Sequence, residues 1–241
     1  MRRDHRPYHI KRLRRRLEHA WVRHFLRPQL DALGPDFLFM KPWNIRIYGP
    51  NIRIGNHVHV VTTRDRRVSL SVWEYDGQEG AIDIGDYCLI CPAVRLDSAS
   101  GIHIGNSCML AAGAYLTDAD WHDLYDRTRP IGSTRPIVLE DNVWIGDRAT
   151  VCKGVRIGRN AIVAASAVVT HDVPANAVVA GNPARQVKML DDADRTLVTR
   201  AEMFADAEAH ARRYDDIERY LLGGNSTLGW LRSLLWPRAG D

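Results

Sequence analysis

From Leu139 onward, bulky aliphatic residues recur every six positions, at Leu139, Ile145, Val151, Ile157, Val163 and Val169. A second series of small or apolar residues stands four positions after each, at Val143, Ala149, Val155, Ala161, Ala167 and Val173. An amphipathic helix repeats its apolar positions near 3.6 and a half-buried strand repeats them at two, so a period of six is neither. It fits a triangular coil in which each short flat side turns one large and one small residue inward. Gly146, Gly158 and Ala164 directly follow ladder residues, at corners with little room for a side chain. Three sides make a coil of about 18 residues, and each coil buries its apolar column against the next.

The rule also reads backwards along the chain. Ile84, Ile90 and Leu96 keep the period, and Ile104, Leu110 and Leu116 resume it after two extra residues, with Cys88, Val94, Cys108 and Ala114 at the small positions. Stacking predicts three columns: Ile84/Ile104/Leu139/Ile157, Ile90/Leu110/Ile145/Val163 and Leu96/Leu116/Val151/Val169. The fragment from Ile54-Gly55 to Val60 reads as a degenerate first coil. Ile45, Ile47, Ile52 and Ile54 alternate as extended chain. Val68, Leu70 and Val72, running on to Tyr75, read as a strand that leaves the regular coil before turns at Asp76-Gly77 and Glu79-Gly80. The largest interruption separates Leu116 from Leu139, so residues 117–138 are expected to form an excursion loop at one corner. Long loops on rigid scaffolds tend to carry function.

These patterns divide the chain into a basic N-terminal helix and linker over residues 1–40, the solenoid over 41–190, and a helical tail over 191–241. Over residues 8–33, Ile10, Leu13, Leu17, Ala20, Trp21 and His24 or Phe25 form an apolar stripe with arginines on the other face, ended by Leu33-Gly34-Pro35. Such a helix can cap the open end of a solenoid or lie on an anionic membrane surface. Nucleic-acid binding is disfavoured, because no base-stacking platform accompanies the charge. A helical pattern runs from Asp191 to Leu222. The short apolar segment Trp230 to Pro237 suits either a neighbouring subunit or a shallow membrane foot.

Composition changes this picture little. The 241 residues are 45% hydrophobic, enough for a substantial core. No run of eighteen apolar residues exists, and the basic N-terminal stretch lacks the apolar region of a secretion signal, so a cytoplasmic protein is expected. The net charge of +4 hides an asymmetry: residues 1–27 hold ten Arg or Lys against Asp4 and Glu18. Cys88 and Cys91 form a lone CxxC, read as reduced structural cysteines.

With Asn142-Val143-Trp144-Ile145-Gly146 and Ala180-Gly181-Asn182-Pro183-Ala184-Arg185, residues 45 to 190 resemble the hexapeptide-repeat acyltransferases, close to the sugar and maltose O-acetyltransferase branch. The resemblance implies an all-β solenoid, a left-handed parallel β-helix of hexapeptide repeats, with flanking N- and C-terminal α-helices. It further implies a homotrimer with active sites between subunits. Acetyl-CoA would be the co-substrate, without a metal, and an acceptor hydroxyl would attack the thioester directly.

Acyl transfer needs a base for the attacking hydroxyl or amine, and histidine suits neutral pH. His122 stands on the excursion loop among carboxylates, where the resembled family keeps its catalytic histidine, although that branch usually places it one residue earlier, at the position of Trp121. Asp118, Asp120 or Asp123 could orient its ring. By stacking, Asp97 lies one coil below Thr117 and could bind an acceptor hydroxyl, and Tyr115 is assigned to the same acceptor side. On the coenzyme side the resemblance points to Trp144, Ala165, Thr170, His171, Arg185 and Lys188. His171 stands where lysine is common, and Asp147 replaces a small polar residue. A sugar or glycan-like acceptor is the expected partner. N-acetylation of an aminosugar and a non-catalytic trimeric scaffold are the alternatives; a metal-dependent hydratase is disfavoured because Thr117 stands where a second histidine ligand would be needed.

Overall fold

The structure, a computed structural model, describes residues 3–75, 77–190, 196–239 and 241. Asp76 of the expected turn and residues 191–195 at the start of the expected C-terminal helical stretch lie outside the described residues. Two compact units are present: Trp21–Glu202, and Met1–Ala20 together with Met203–Asp241.

In the larger unit the chain visits three parallel sheets in rotation. Ile82–Ile84, Leu89–Ile90 and Arg95–Ser98 belong to the first, second and third sheet, and Ile102–Ile104, Met109–Leu110 and Tyr115–Thr117 repeat the circuit one level on. Ile137–Leu139, Trp144–Ile145 and Thr150–Val151 make the next level, followed by Arg156–Ile157, Ile162–Val163 and Val168–Val169. The register pairs Ile84 with Ile104, Ile104 with Leu139 and Leu139 with Ile157. It likewise pairs Ile90, Leu110, Ile145 and Val163 in sequence, and Leu96, Leu116, Val151 and Val169. All three columns expected from the six-residue period are therefore present.

The coil starts earlier than its period shows. Val68–Val72 does not leave the coil: it is a third-sheet strand, with Leu70 paired to Leu96. Only the hairpin Glu74–Tyr75 with Gln78–Glu79 departs. Below it, Ala32–Leu33, Phe37–Met40 and Ile45–Tyr48 pair in parallel with Ile52–Ile54, Val58–Val61 and Val68–Val72. At the far end, Ala177–Ala180 continues the second sheet and Arg185–Met189 turns back on it antiparallel.

Every large ladder side chain from Ile82 to Val169 is at most 4% exposed. Burying each such side chain stabilises the fold by ~1.5–3 kcal/mol. Gly146 is needed because the next coil passes over it: a Cβ there would lie 2.6 Å from the Ala165 amide nitrogen. Cys88 and Cys108 are fully buried at small rungs, and the Cys88 thiol is pushed well up by hydrogen bonding with Cys108 and by burial.

The N-terminal helix differs from expectation. Helix α1 spans Tyr8–Trp21 and gives way to a π turn, Val22–Leu26, and a 3-10 turn, Arg27–Gln29. Pro28 has no N–H to continue the helical ladder, and Ala32–Leu33 is already a strand. Val22 and Leu26 are buried in the solenoid core.

In the smaller unit, α1 packs through its polar face on α2 (Ala207–Leu222). The Tyr8 hydroxyl is 2.7 Å from both oxygens of Asp215, and Lys11 and Arg15 reach Glu218 at 2.8 and 2.5 Å. The expected apolar face does not make this contact: Leu13 and Leu17 are 51% and 59% exposed. Asp206 caps α2 by accepting from the Ala209 N–H, and Ser226 caps α3 (Thr227–Leu235) by accepting from the Gly229 N–H. Among the described residues, no helix is long and apolar enough to cross a membrane.

The stacked columns predict a sharp contrast between neighbours. Leu116→Ala, at a fully buried rung, should lower unfolding stability by ~2–5 kcal/mol. Thr150→Ala, on an outward position of the same sheet, should change it by less than about 0.5 kcal/mol. Urea denaturation of the two variants beside the wild type checks this.

Candidate active site

The excursion loop leaves the third sheet after Thr117, and the carboxylate of Asp118 holds its root. Asp118 is fully buried and accepts hydrogen bonds from the Ser98 hydroxyl at 2.7 Å and the N–H groups of Ala99, Ser100 and Gly101 at 2.7, 2.9 and 2.6 Å. A buried carboxylate is tolerable only with such a set of donors, and this one ties the loop to the turn of the coil below. The two ends of the loop then run antiparallel, with a bridge between Ala119 and Thr134 and the Arg135 N–H donating to the Asp118 carbonyl at 2.9 Å. Ala99, Ala119 and Ile131, with Trp121 against them, form a small apolar cluster beneath the loop.

A cation from the coil above completes the anchorage. Lys153 donates to the Asp120 carboxylate and to the Ser133 hydroxyl, the latter at 2.5 Å. Asp123 turns inward on its own loop and accepts from the N–H groups of Tyr125 and Asp126, both at 2.9 Å, which hold its carboxyl below the usual carboxylate range.

His122 is exposed on this anchored loop and makes no hydrogen bond or ion pair among the described residues. Neither Asp118 nor Asp120 is brought to it, and Asp123 is not either. Each of these carboxylates is already satisfied by the donors that fold the loop, so none orients the His122 ring within one chain. The His122 backbone is nonetheless fixed. A Cβ at Gly132 would lie 2.7 Å from the His122 carbonyl oxygen and 3.0 Å from the Asp123 Cα.

Outward positions of the third sheet lie beside the loop root. Asp97 pairs in register with Ser71 below and Thr117 above. It is only 3% exposed although it points out of the coil. Arg95 Nε pairs with its Oδ2 at 2.5 Å, and this contact holds the Arg95 guanidinium above its ordinary pKa. Arg95 also stacks over the ring of Tyr115 at 4.8 Å. Asp97, Tyr115 and the loop carrying His122 thus share one face.

The residues expected on the coenzyme side fall in two places. His171 and Arg185 line one cleft of about 260 Å³ with Asp172, Pro174, Ala184 and Gln186, and Thr170 Oγ1 is 2.9 Å from His171 Nδ1. Trp144 and Lys188 lie instead on the outer side of the second sheet, three rungs apart with Ile162 and Val178 between them. Ala165 is exposed at the corner above Gly146. Asp147 is paired with Arg148 at 2.8 Å. Among the described residues, no group of three or more His, Cys, Asp or Glu is placed to hold a metal ion.

Two contacts of this face escaped the sequence reading. Arg95 is stacked directly below Tyr115, and Lys153 stands two residues after Val151, the rung above Leu116. The same stacking rule that placed Asp97 below Thr117 would have found both.

Comparison with known proteins agrees with this architecture. Residues 136–171 match the family model of the bacterial transferase hexapeptide (six repeats), and residues 93–118 match the hexapeptide repeat of succinyl-transferase. A 2,3,4,5-tetrahydropyridine-2,6-dicarboxylate N-acetyltransferase of Staphylococcus aureus (strain JH9) is 52% identical over 64 residues, 27% of each protein. The chain therefore matches 27% of the length of such curated relatives. AntD, an N-acyltransferase from Bacillus cereus solved with dTDP and 3-hydroxybutyryl-CoA, aligns over 80% of this chain and 96% of its own, at 21% identity and a TM-score of 0.58, a likeness of fold. A hexapeptide-repeat containing acetyltransferase from Vibrio cholerae O1 biovar eltor, complexed with acetyl coenzyme A, is 30% identical over 73% of this chain and 80% of its own, with a TM-score of 0.48. With the six-residue columns, the corner glycines and both repeat matches in one solenoid, the chain belongs to the hexapeptide-repeat acyltransferase family.

Proposed function

We propose that this protein is an acetyl-CoA-dependent acetyltransferase that moves the acetyl group to a hydroxyl of a sugar or glycan-like acceptor, with His122 as general base. The observation that carries the reading is His122 itself: an exposed, unengaged imidazole on a loop whose backbone is pinned by Asp118, Gly132 and Lys153. A base must be free to take a proton yet held in place. In this reading the acceptor oxygen attacks the thioester carbonyl, His122 takes the hydroxyl proton, and the tetrahedral adduct collapses to expel the coenzyme thiolate. No covalent enzyme intermediate forms, and Asp97 and Tyr115 hold the acceptor.

The donor would run towards the cleft of His171 and Arg185, where a guanidinium and an imidazole can meet phosphate oxygens. Trp144, Ala165, Thr170 and Lys188 border its path. The solenoid is taken as left-handed and the assembly as a homotrimer, with a neighbouring subunit supplying the group that orients His122. The second reading, N-acetylation of an aminosugar on the same site, draws its support for transfer to nitrogen from a curated relative that is an N-acetyltransferase. Contact of α1 with an anionic membrane belongs to the proposal too, supported by the exposed Leu13 and Leu17 beside Arg12 and Arg16.

Release of free thiol from acetyl-CoA in the presence of sugars and aminosugars tests the reading. His122→Ala should lower kcat by about 10²- to 10⁴-fold while acetyl-CoA binding persists, and an unaffected kcat would move the base elsewhere. Hydroxyl and amine acceptors compared side by side decide between ester and amide products. Gly132→Ala forces its Cβ against the His122 backbone and should reduce kcat by about a hundredfold through misplacement of the base, with urea stability nearly kept. For the membrane contact, Leu13→Asp should abolish co-sedimentation with phosphatidylserine vesicles; wild-type protein that stays in the supernatant would refute it.

A further inference from the structure

Three aromatic rings form a row on the face that carries Asp97. Tyr48 and Trp73 lie with centroids 4.9 Å apart, and Trp73 and Trp121 6.0 Å apart. Tyr48 and Trp73 are 57% and 42% exposed. Their positions are set by the coil. Tyr48, Ser71, Asp97 and Thr117 occupy successive rungs of one register line. The Trp73 N–H donates to the Ser98 carbonyl at 2.8 Å, and the Trp121 Nε1–H donates to Thr117 Oγ1 at 3.0 Å. Trp121 is the residue immediately before His122.

An apolar row of this size is costly to leave in water, and its surroundings indicate what covers it. Along its edge run the Ser71 position and the ion pair of Asp97 with Arg95, whose guanidinium is 59% exposed. A second copy laying apolar side chains on the rings would strip water from the exposed Arg95 guanidinium and leave its remaining N–H groups unmatched. A pyranose ring meets both demands: its C–H face covers aromatic rings, and its edge hydroxyls donate to a carboxylate and accept from a guanidinium.

We propose that Tyr48, Trp73 and Trp121 form the acceptor platform, on which a six-membered sugar ring stacks with an edge hydroxyl turned to Asp97 and towards His122. This rests on the transferase reading and deepens it by naming the part of the acceptor that is recognised. Trp73, central in the row, is its main determinant.

Saturation-transfer NMR with a panel of methyl hexopyranosides, run beside steady-state thiol release, tests the platform. Wild type should transfer saturation to the ring C–H protons of at least one sugar. Trp73→Ala should weaken binding of that sugar and raise its KM by about tenfold. Trp73→Phe should restore most of the loss, and the KM for acetyl-CoA and the sedimentation coefficient should stay at the wild-type values. Unchanged sugar affinity in Trp73→Ala overturns the platform and leaves the transferase reading intact. A changed sedimentation coefficient in that variant overturns it in favour of a subunit interface, and so does a panel in which no sugar binds. Sugar binding that depends on Trp73, without thiol release from any acceptor, sustains the platform and overturns the transferase reading alone.

Discussion

Everything in the larger unit depends on one constraint: successive coils must stack in register so that each interior position meets its own kind one level up. The hydrogen bonds that join the coils run between strands from different levels, as when the Met109 N–H donates to the Val143 carbonyl and the Trp144 N–H to the Ala161 carbonyl. A side of two or three residues has too few bonds to stand alone, and burial of the columns supplies what the short strands lack. The same constraint leaves corners free. A corner can release any length of chain if it returns to the same rung, and the loop between Thr117 and Ile137 does so.

The regular part of this fold was legible because period and burial coincide. Each interior column could be written down from spacing alone, and the register agrees residue by residue. The early coils were not legible for the opposite reason. From Val60 to Leu70 the step is ten residues, and from Phe39 to Ile47 it is eight, so loops such as residues 62–67 hide the six. Leu33 was lost to the helix reading because its spacing from Phe25 and Leu30 fits a helix as well as a strand. Helix α1 shows a different limit. Periodicity locates an apolar stripe but not the partner it meets, and here the contact with α2 uses Tyr8, Lys11 and Arg15.

The site divides in the same way. The exit of the chain at Thr117 and the loop position of His122 follow from the interrupted ladder. The role of Asp118 does not, because three aspartates spaced two or three apart look alike until the donors around them are known. Asp118 faces three backbone N–H groups and a hydroxyl, Asp120 a lysine, and Asp123 its own loop. Their residue type suggested one task, orienting an imidazole, and the structure distributes them over three anchoring tasks.

This distribution has a consequence for how the site works. Carboxylates spent on anchorage make the loop stiff, and a stiff loop lowers the cost of holding a base where it is needed. The groups left unsatisfied are then informative by contrast. Among the described residues nothing fixes the His122 ring, and the Arg95 guanidinium that pairs with Asp97 is 59% exposed. Both occur on the third-sheet face, where the aromatic row also lies. Here the half-open ion pair, the unengaged imidazole and the uncovered rings ask for complementary features of one molecule: polar hydroxyls, a proton to give up, and an apolar ring face.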